Sequence, residues 1–339
     1  MYSSTSSTVL LYMEEITSSL GFIGNLLVSV TILRTKSLHN LTNYLILNLA
    51  IVDSLYLLST TFDPWVKWTN TESNNTDENE NTTMNVGHVT LQLLMHVQYS
   101  LIGTSTCSIA LVTFECYMGI VYPLQHMSYF IKWKVALLLL TVWIVPFILE
   151  LPATIVYIFF LPSTQYTVYP TAMNQPWLWL FPIISSGVLY LVPVGALIGM
   201  YARILQNLKL HARIFRRQGI IGPPQELSRA HHRVARTLIL VTAACIILIS
   251  PTKIICLYLT AQAPRSSPAS KQVLLQLSFL LSAANSAINP ILYALKYKPM
   301  RRAFRGMICP CVGSRSVESS ESGSEMQTKV LKSQEKSTS

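Results

Sequence analysis

The stretch that decides the fold is QVLLQLSFLLSAANSAINPILYAL, residues 272–295. It contains no charged residue and is long enough to cross about 30 Å of hydrocarbon as a helix. Its second half nevertheless contains the polar residues Asn285, Ser286 and Asn289, followed by Pro290. Because polar side chains in a membrane helix are costly when they face lipid, we expect these residues to face neighbouring helices.

Six further apolar stretches of similar length precede this one. The 339-residue chain is 51% hydrophobic and 12% charged, whereas soluble domains carry about 25% charged residues. Lipid offers no hydrogen-bond partners for open strand edges, so such stretches can cross a membrane only as helices. The sequence therefore predicts an all-α membrane protein, a bundle of seven transmembrane helices over about residues 8–33, 43–64, 89–114, 135–161, 177–203, 234–261 and 272–295.

The basic residues predict the orientation of this bundle. With seven crossings, 21 of the 25 lysines and arginines fall on the side of the C-terminus. The positive-inside rule then places the C-terminus in the cytoplasm and the N-terminus outside. The first stretch contains Glu14 and Glu15 and has no basic segment before it, so we expect it to remain as a signal anchor. The net charge of +10 indicates contact with membrane lipid, not with nucleic acid.

Glycosylation acceptor sequences provide a test of this orientation. Asn74 and Asn81 lie in the polar loop of residues 65–88, on the side predicted to be outside, and we expect both to carry glycans. Asn40 also begins such a sequence, but it lies on the cytoplasmic side and should remain unmodified.

The C-terminal part of the chain divides into two segments. KYKPMRRAFRGM predicts a short, basic, amphipathic eighth helix, after which Cys309 and Cys311 are candidates for palmitoylation or, alternatively, unmodified thiols. Residues 1–311 thus form one helical domain, and residues 312–339 are predicted to be a disordered cytoplasmic tail. Serines beside glutamates in this tail are candidates for phosphorylation, although a purely solubilising tail explains them equally well.

Asp53 is an acid inside the second stretch and therefore a candidate functional residue. Its expected companions are small oxygen-bearing side chains at similar depth, namely Asn25, Ser105, Asn285, Ser286 and Asn289. Oxygen ligands around a carboxylate suit a hard cation such as sodium, which makes Asp53 the candidate metal ligand, or a water network. Hydrogen bonding between helices alone also accounts for them. The chain has no nucleophile elbow, phosphate loop or metal-ligand spacing, so the sequence does not support an enzyme.

Several motifs together resemble a known family, the rhodopsin-like (class A) G-protein-coupled receptors, over about residues 8–311. The resemblance rests on Gly24-Asn25, NLAIVD ending at Asp53, Ser105, Glu115 and Tyr117 with Pro123-Leu124, Trp143, Pro193 with Tyr201, Pro251, and NSAINPILY at 285–293. The general style is similar to that of neuropeptide receptors. The resemblance implies a multi-pass receptor of the plasma membrane that binds an extracellular ligand and activates a heterotrimeric G protein, with arrestin and a receptor kinase acting on its tail.

The resemblance also implies roles for individual residues. Asn25, Asp53, Ser105, Asn285, Ser286 and Asn289 correspond to the family's sodium site. The residues that correspond to the activation machinery and the G-protein face are Glu115, Cys116, Tyr117, Leu124, Tyr201, Pro251, Pro290 and Tyr293.

Four positions depart from the family's pattern. Leu91 stands where most relatives have a disulfide-forming cysteine, Ile249 where many have a tryptophan, and His231 where an acid is common. Cys116 stands where the family nearly always has an arginine that pairs with the preceding acid at rest. Glu115 is therefore expected to lack its usual partner.

Three residues are candidates for the ligand pocket. Gln98 occupies the position at which amine receptors have an aspartate, which argues against an amine ligand. Lys253 lies about eight residues below the outer end of its helix, roughly 12 Å deep, so it should face a cavity or a partner. That partner is either an anionic group of the ligand or Glu150. We expect a peptide ligand.

The leading function is therefore a receptor that couples ligand binding to G-protein signalling. The alternative is a seven-helix ligand-binding receptor, a decoy or an arrestin-biased receptor, with weak or absent G-protein coupling, which Cys116 favours. A transporter would show an internal repeat, and the sequence has none.

Overall fold

A computed structural model describes residues 2–62, 86–159, 180–218, 223–262 and 268–308. All regular structure in these ranges is helical. Seven helices within them are long and apolar enough to cross a membrane. The predicted fold class, a bundle of seven transmembrane helices, is confirmed, with spans at Ser6–Arg34, Leu41–Thr60, Val89–Val121, Lys132–Phe159, Leu180–Leu210, Ala235–Leu259 and Ser270–Lys296.

The helices are named here in chain order, and short helices occur between or after the long ones. They are α1 (Tyr2–Arg34), α2 (Leu41–Thr60), α3 (Val86–Val121), α4 (Pro123–Tyr129), α5 (Lys132–Phe159), α6 (Leu180–Ser186), α7 (Val192–Gln218), α8 (Pro223–Gln262), α9 (Pro268–Lys296) and α10 (Lys298–Ile308). A π-helical turn at Gly187–Leu191 joins α6 to α7, and a 3₁₀ turn at Lys36–Leu38 precedes α2.

Local sequence signals explain several helix boundaries. Asn40 is the N-cap of α2, because its side chain accepts a hydrogen bond from the backbone N–H of Asn43 at 2.9 Å. Pro123 begins α4, a position where its missing N–H costs nothing. Pro251 and Pro290 lie inside α8 and α9, where each removes one backbone hydrogen bond of the helix.

The close packing of α1 on α9 depends on two glycines. A Cβ atom added at Gly21 would lie 2.6 Å from the Cβ of Ala287, and one added at Gly24 would lie 3.1 Å from the ring of Pro290. The first distance is shorter than real carbon contacts, so only glycine allows the two helices to approach this closely. The approach aligns the polar side chains of α1 with those of α9.

The bundle places α3 at its centre. α3 contacts α2, α5 and α7, and it is the most deeply buried of the seven spans, whereas α5 is almost wholly exposed on the rim. The exposed surface of α5 is apolar, as a surface in contact with lipid should be. Because successive helices alternate in direction, α4 and α10 lie at the same end of the bundle, which we call the α10 face.

Candidate functional site

The carboxylate of Asp53 is fully buried in the middle of the bundle. Its Oδ1 accepts hydrogen bonds from Ser105 Oγ at 2.8 Å and from Ser286 Oγ at 3.0 Å, and its Oδ2 accepts one from Asn289 Nδ2 at 2.7 Å. These donors come from α3 and α9, so the acid of α2 joins three helices. Hydrogen bonds to an ionised group are the stronger kind, and they offset part of the cost of burying the charge.

Asn25 extends this network to α1. Its Nδ2 donates to the backbone carbonyl of Ser286 at 3.0 Å and to that of Gly21 at 3.0 Å. Its Oδ1 is buried and meets no hydrogen-bond partner in the described part of the chain. Asn285 is buried beside this group, but none of the hydrogen bonds described for Asp53 comes from it. The structure therefore brings together five of the six residues predicted for this site through direct or shared contacts.

A second polar cluster surrounds the hydroxyl of Tyr201 on α7. It lies 2.9 Å from Thr113 Oγ1 on α3 and 2.9 Å from Thr242 Oγ1 on α8. The single hydroxyl hydrogen of Thr113 is already donated to the carbonyl of Ile109 at 2.9 Å. Tyr201 therefore donates to Thr113 and accepts from Thr242, which links α3, α7 and α8 in one chain of hydrogen bonds.

Sequence reasoning selected Tyr201 but missed both threonines. Threonines in membrane helices usually bond to a carbonyl of their own helix, so their sequence position carries no signal for a bond between helices. The second predicted tyrosine, Tyr293, is also buried, and its hydroxyl meets no hydrogen-bond partner within the described ranges.

A third cluster lies at the α10 face, around Glu115 near the end of α3. Thr42 Oγ1 donates to Glu115 Oε2 at 2.8 Å, and His126 Nε2 lies 3.1 Å from Glu115 Oε1. The thiol of the buried Cys116 donates weakly to Oε2 at 3.7 Å. A cavity of about 320 Å³ opens beside these groups. Glu115 thus has contacts from α2 and α4 that the sequence did not predict, although the arginine of the family pattern is absent.

Leu124 and Tyr117, two further residues predicted for the G-protein face, lie at the same end of the bundle. Leu124 on α4 is 89% exposed, which leaves it free to contact another protein. The ring of Tyr117 packs edge-on against that of Tyr122, with 5.8 Å between their centroids. Tyr297 donates to Asn43 Oδ1 at 3.0 Å and so ties the junction of α9 and α10 to α2. Burial raises the pKa of Tyr297 to about 12, so its hydroxyl remains a donor at any physiological pH.

The residues predicted for the ligand pocket lie in the opposite half of the bundle. Gln98 and Lys253 are both buried, on α3 and α8. The carboxylate of Glu150 lies within electrostatic range of Lys253. The two charged groups make no ion pair within 4 Å in the described ranges. In the same half, Gln276 on α9 donates to Glu14 on α1, a contact that the sequence did not suggest.

Some predicted residues cannot be placed. The glycosylation candidates Asn74 and Asn81, the palmitoylation candidates Cys309 and Cys311, and the tail of residues 312–339 lie outside the described residues. The side chain of His231 also lies outside the described part. Ile249 and Leu91, which replace residues typical of the family, are both buried.

Seven membrane helices joined by buried polar clusters define a multi-pass membrane protein of the receptor type. The family model described as 7 transmembrane receptor (rhodopsin family) matches residues 24–293. The chain belongs to this rhodopsin family of seven-transmembrane receptors, a family of receptors and not of enzymes.

Individual relatives agree with this assignment. The chain is 25% identical to somatostatin receptor type 2 of Mus musculus over 317 residues, covering 91% of this chain and 79% of the relative. It is 24% identical to somatostatin receptor type 1 of Rattus norvegicus over 307 residues, covering 90% and 72%. It is also 25% identical to octopamine receptor beta-1R of Drosophila melanogaster over 324 residues, covering 84% and 58%. The protein is thus a cell-surface receptor of the rhodopsin-like class.

Proposed function

We propose that this receptor converts the binding of an extracellular ligand into activation of a heterotrimeric G protein. The observation that carries the proposal is the pair of buried clusters at Asp53 and Tyr201, which joins α1, α2, α3, α7, α8 and α9 through side-chain contacts. Such contacts hold one arrangement of the helices and must change for another to form. A ligand that binds the second arrangement more tightly shifts the population toward it.

The proposed orientation places the α10 face in the cytoplasm. Arg302 and Arg305 on α10 are exposed, and Lys132 and Lys134 lie at the start of α5 on the same face. This distribution supports the positive-inside assignment and contact with anionic lipid.

Glycosylation tests this orientation directly. We expect glycosidase-sensitive mass from Asn74 and Asn81 and none from a variant that retains only Asn40, whose side chain caps α2. A glycan on that Asn40-only variant would overturn the orientation.

The proposed ligand is a peptide that enters the bundle from the opposite face. Similarity to somatostatin receptors supports a peptide. One relative is an octopamine receptor, but Gln98 of this chain lacks the charge that would pair with an amine. Lys253 is the proposed contact for an anionic group of the ligand, since Glu150 does not form an ion pair with it. The anionic group of the ligand would then contact the buried Lys253 ammonium, which also attracts the Glu150 carboxylate electrostatically.

The proposed ion at Asp53 is sodium. The Asp53 carboxylate and the hydroxyl oxygens of Ser105 and Ser286 converge on one point, and the unpartnered Oδ1 of Asn25 lies in the same network. Hard oxygen donors with one full negative charge fit a small monovalent cation. When bound, sodium would neutralise Asp53, and Ser105 and Ser286 would hold it while Asn289 keeps its bond to the other carboxylate oxygen.

The proposed partners on the cytoplasmic side are a G protein at Leu124, and arrestin and a receptor kinase at the tail. Palmitoylation at Cys309 and Cys311 would hold α10 against the lipid. The alternative function, a ligand-binding receptor with weak G-protein coupling, rests on Cys116, and the chain's family does not favour it.

Nucleotide exchange on purified G proteins tests the proposal. The receptor in lipid nanodiscs, without ligand, should accelerate exchange above the rate of the G protein alone. Cys116→Arg should raise that rate by about tenfold or more, because a hydrogen bond to a charged group contributes about 1.5–3 kcal/mol. A parent and a Cys116→Arg variant that are both silent with every class of heterotrimer would refute coupling.

A further inference from the structure

The short helix α4 is held to the bundle by very little apolar contact. It has seven residues, and none of its side chains is buried. An isolated helix of this length is not stable in water. Leu124 and Met127 are 89% and 79% exposed, so the apolar side chains of α4 point away from the bundle. Specific contacts must therefore fix this helix in its observed position.

His126 makes the polar contact that joins α4 to α3. Its Nε2 lies 3.1 Å from Glu115 Oε1. Because an ionised carboxylate only accepts hydrogen bonds, Nε2 carries the hydrogen in this contact. The imidazole also packs against the ring of Phe130, with 4.9 Å between centroids, and Phe130 packs against Phe114 of α3 at 5.7 Å.

The acceptor in this contact is itself fixed. Thr42 holds the other oxygen of Glu115 from α2, so the carboxylate joins α2, α3 and α4 at one point. Glu115 is buried, and a charge-assisted hydrogen bond is stronger there than on an open surface. The short side chain of Cys116 and the absence of one at Gly119 leave room beside the imidazole, where a cavity of about 320 Å³ remains.

We propose that His126 is the positioning residue of the cytoplasmic loop that contains α4. Through Glu115 it fixes the helix that carries Leu124, and it occupies the carboxylate that an arginine at position 116 would otherwise bind. The contact holds independently of any signalling partner, whereas its consequence for coupling rests on the proposed G-protein function.

Hydrogen–deuterium exchange of the purified, full-length receptor without G protein tests the contact. In His126→Ala, backbone amides of residues 122–130 should exchange about tenfold faster, as expected for the loss of one charge-assisted hydrogen bond. Glu115→Gln keeps an acceptor oxygen for Nε2–H but removes the charge, so amide exchange there should also become faster, by a smaller factor. The double variant should exchange no faster than His126→Ala alone, because that change already removes the contact. His126→Gln retains an N–H donor of similar reach and should recover most of the protection. Gln125→Ala, an exposed neighbour on α4, is the matched control and should behave as the parent.

Basal nucleotide exchange with purified heterotrimers tests the consequence. His126→Ala should lower the rate by about three- to tenfold, and His126→Gln should restore it. Amide exchange at parent rates in both His126→Ala and Glu115→Gln would overturn the proposal, as would faster amide exchange with unchanged nucleotide exchange. A parent receptor that activates no G protein would instead overturn the proposed function, and the amide exchange would still decide whether His126 holds α4.

Discussion

Replacing Thr242 by valine removes one hydroxyl from the buried chain that joins α3, α7 and α8. The two side chains have nearly the same shape, so the change deletes a hydrogen bond with little change in packing. Tyr201 loses its donor from α8 but keeps its own bond to Thr113 at 2.9 Å. The variant therefore disconnects α8 from the rest of the cluster, while the hydroxyl hydrogen of Tyr201 still has Thr113 as its acceptor.

The size of the effect follows from the worth of such a bond. Hydrogen bonds between membrane helices contribute about 0.6 kcal/mol on average and up to about 1.7 kcal/mol. If the open arrangement lacks the bond, its population relative to the resting one rises by about 3- to 18-fold. Basal nucleotide exchange should rise by the same factor while the open state remains the minor one.

The assay is basal exchange on a purified heterotrimer at matched receptor concentration. Thr141→Val is the control, because Thr141 lies on the exposed face of α5 and bonds only to the carbonyl of Leu137 in its own helix. Thr113→Val removes the neighbouring bond. The double variant should raise the exchange rate by less than the product of the two single increases, because the two bonds share Tyr201. A rate for Thr242→Val that equals that of Thr141→Val would refute the idea that this chain restrains α8.

Three further predictions concern other parts of the bundle. Asp53→Asn keeps the shape of the side chain but removes its charge, so most of the dependence of the unfolding temperature on sodium concentration should be lost. The same sodium dependence in the variant and in the parent would show that the ion does not bind at this site. Gly21→Ala places a Cβ atom 2.6 Å from that of Ala287, so surface expression and the unfolding temperature should drop, by several degrees for a cost of about 1–3 kcal/mol. An unchanged unfolding temperature would show that α1 and α9 can separate freely. Lys253→Ala should weaken the affinity for an activating peptide by about tenfold or more and Lys253→Arg by less; normal binding in both would leave a purely structural charge.

The seven helices were predictable because the bilayer imposes both their length and their composition. Their ends were not. The third stretch was predicted to end at residue 114, but its span continues to Val121; the sixth span, Ala235–Leu259, agrees with the predicted 234–261, although its helix α8 begins further back, at Pro223. Hydropathy reports where hydrocarbon ends, whereas a helix continues into water as long as its backbone bonds and side-chain contacts favour it.

The Asp53 cluster was largely predictable, because a buried acid needs donors and the chain offers few at the same depth. The contacts of Thr113, Thr242 and His126 were not. A threonine that bonds across helices has the same local sequence as one that bonds to its own backbone. His126 reaches Glu115 only because the chain turns at Tyr122 and continues as α4, a geometry that side-chain spacing in the sequence does not reveal.

The replacement of an arginine by Cys116 affects the two arrangements of the bundle unequally. In the resting structure Glu115 retains Thr42 and His126, so its charge is compensated without the arginine. No described residue takes over the contacts that an arginine would offer to Tyr201 and Tyr293. Tyr201 is already bonded to threonines, and Tyr293 has no hydrogen-bond partner in the described ranges. An arginine at position 116 would offer five N–H donors on a longer side chain than the cysteine thiol. The cysteine therefore withholds stabilisation mainly from the open arrangement of the helices. For this reason Cys116→Arg should change G-protein coupling far more than folding or surface expression.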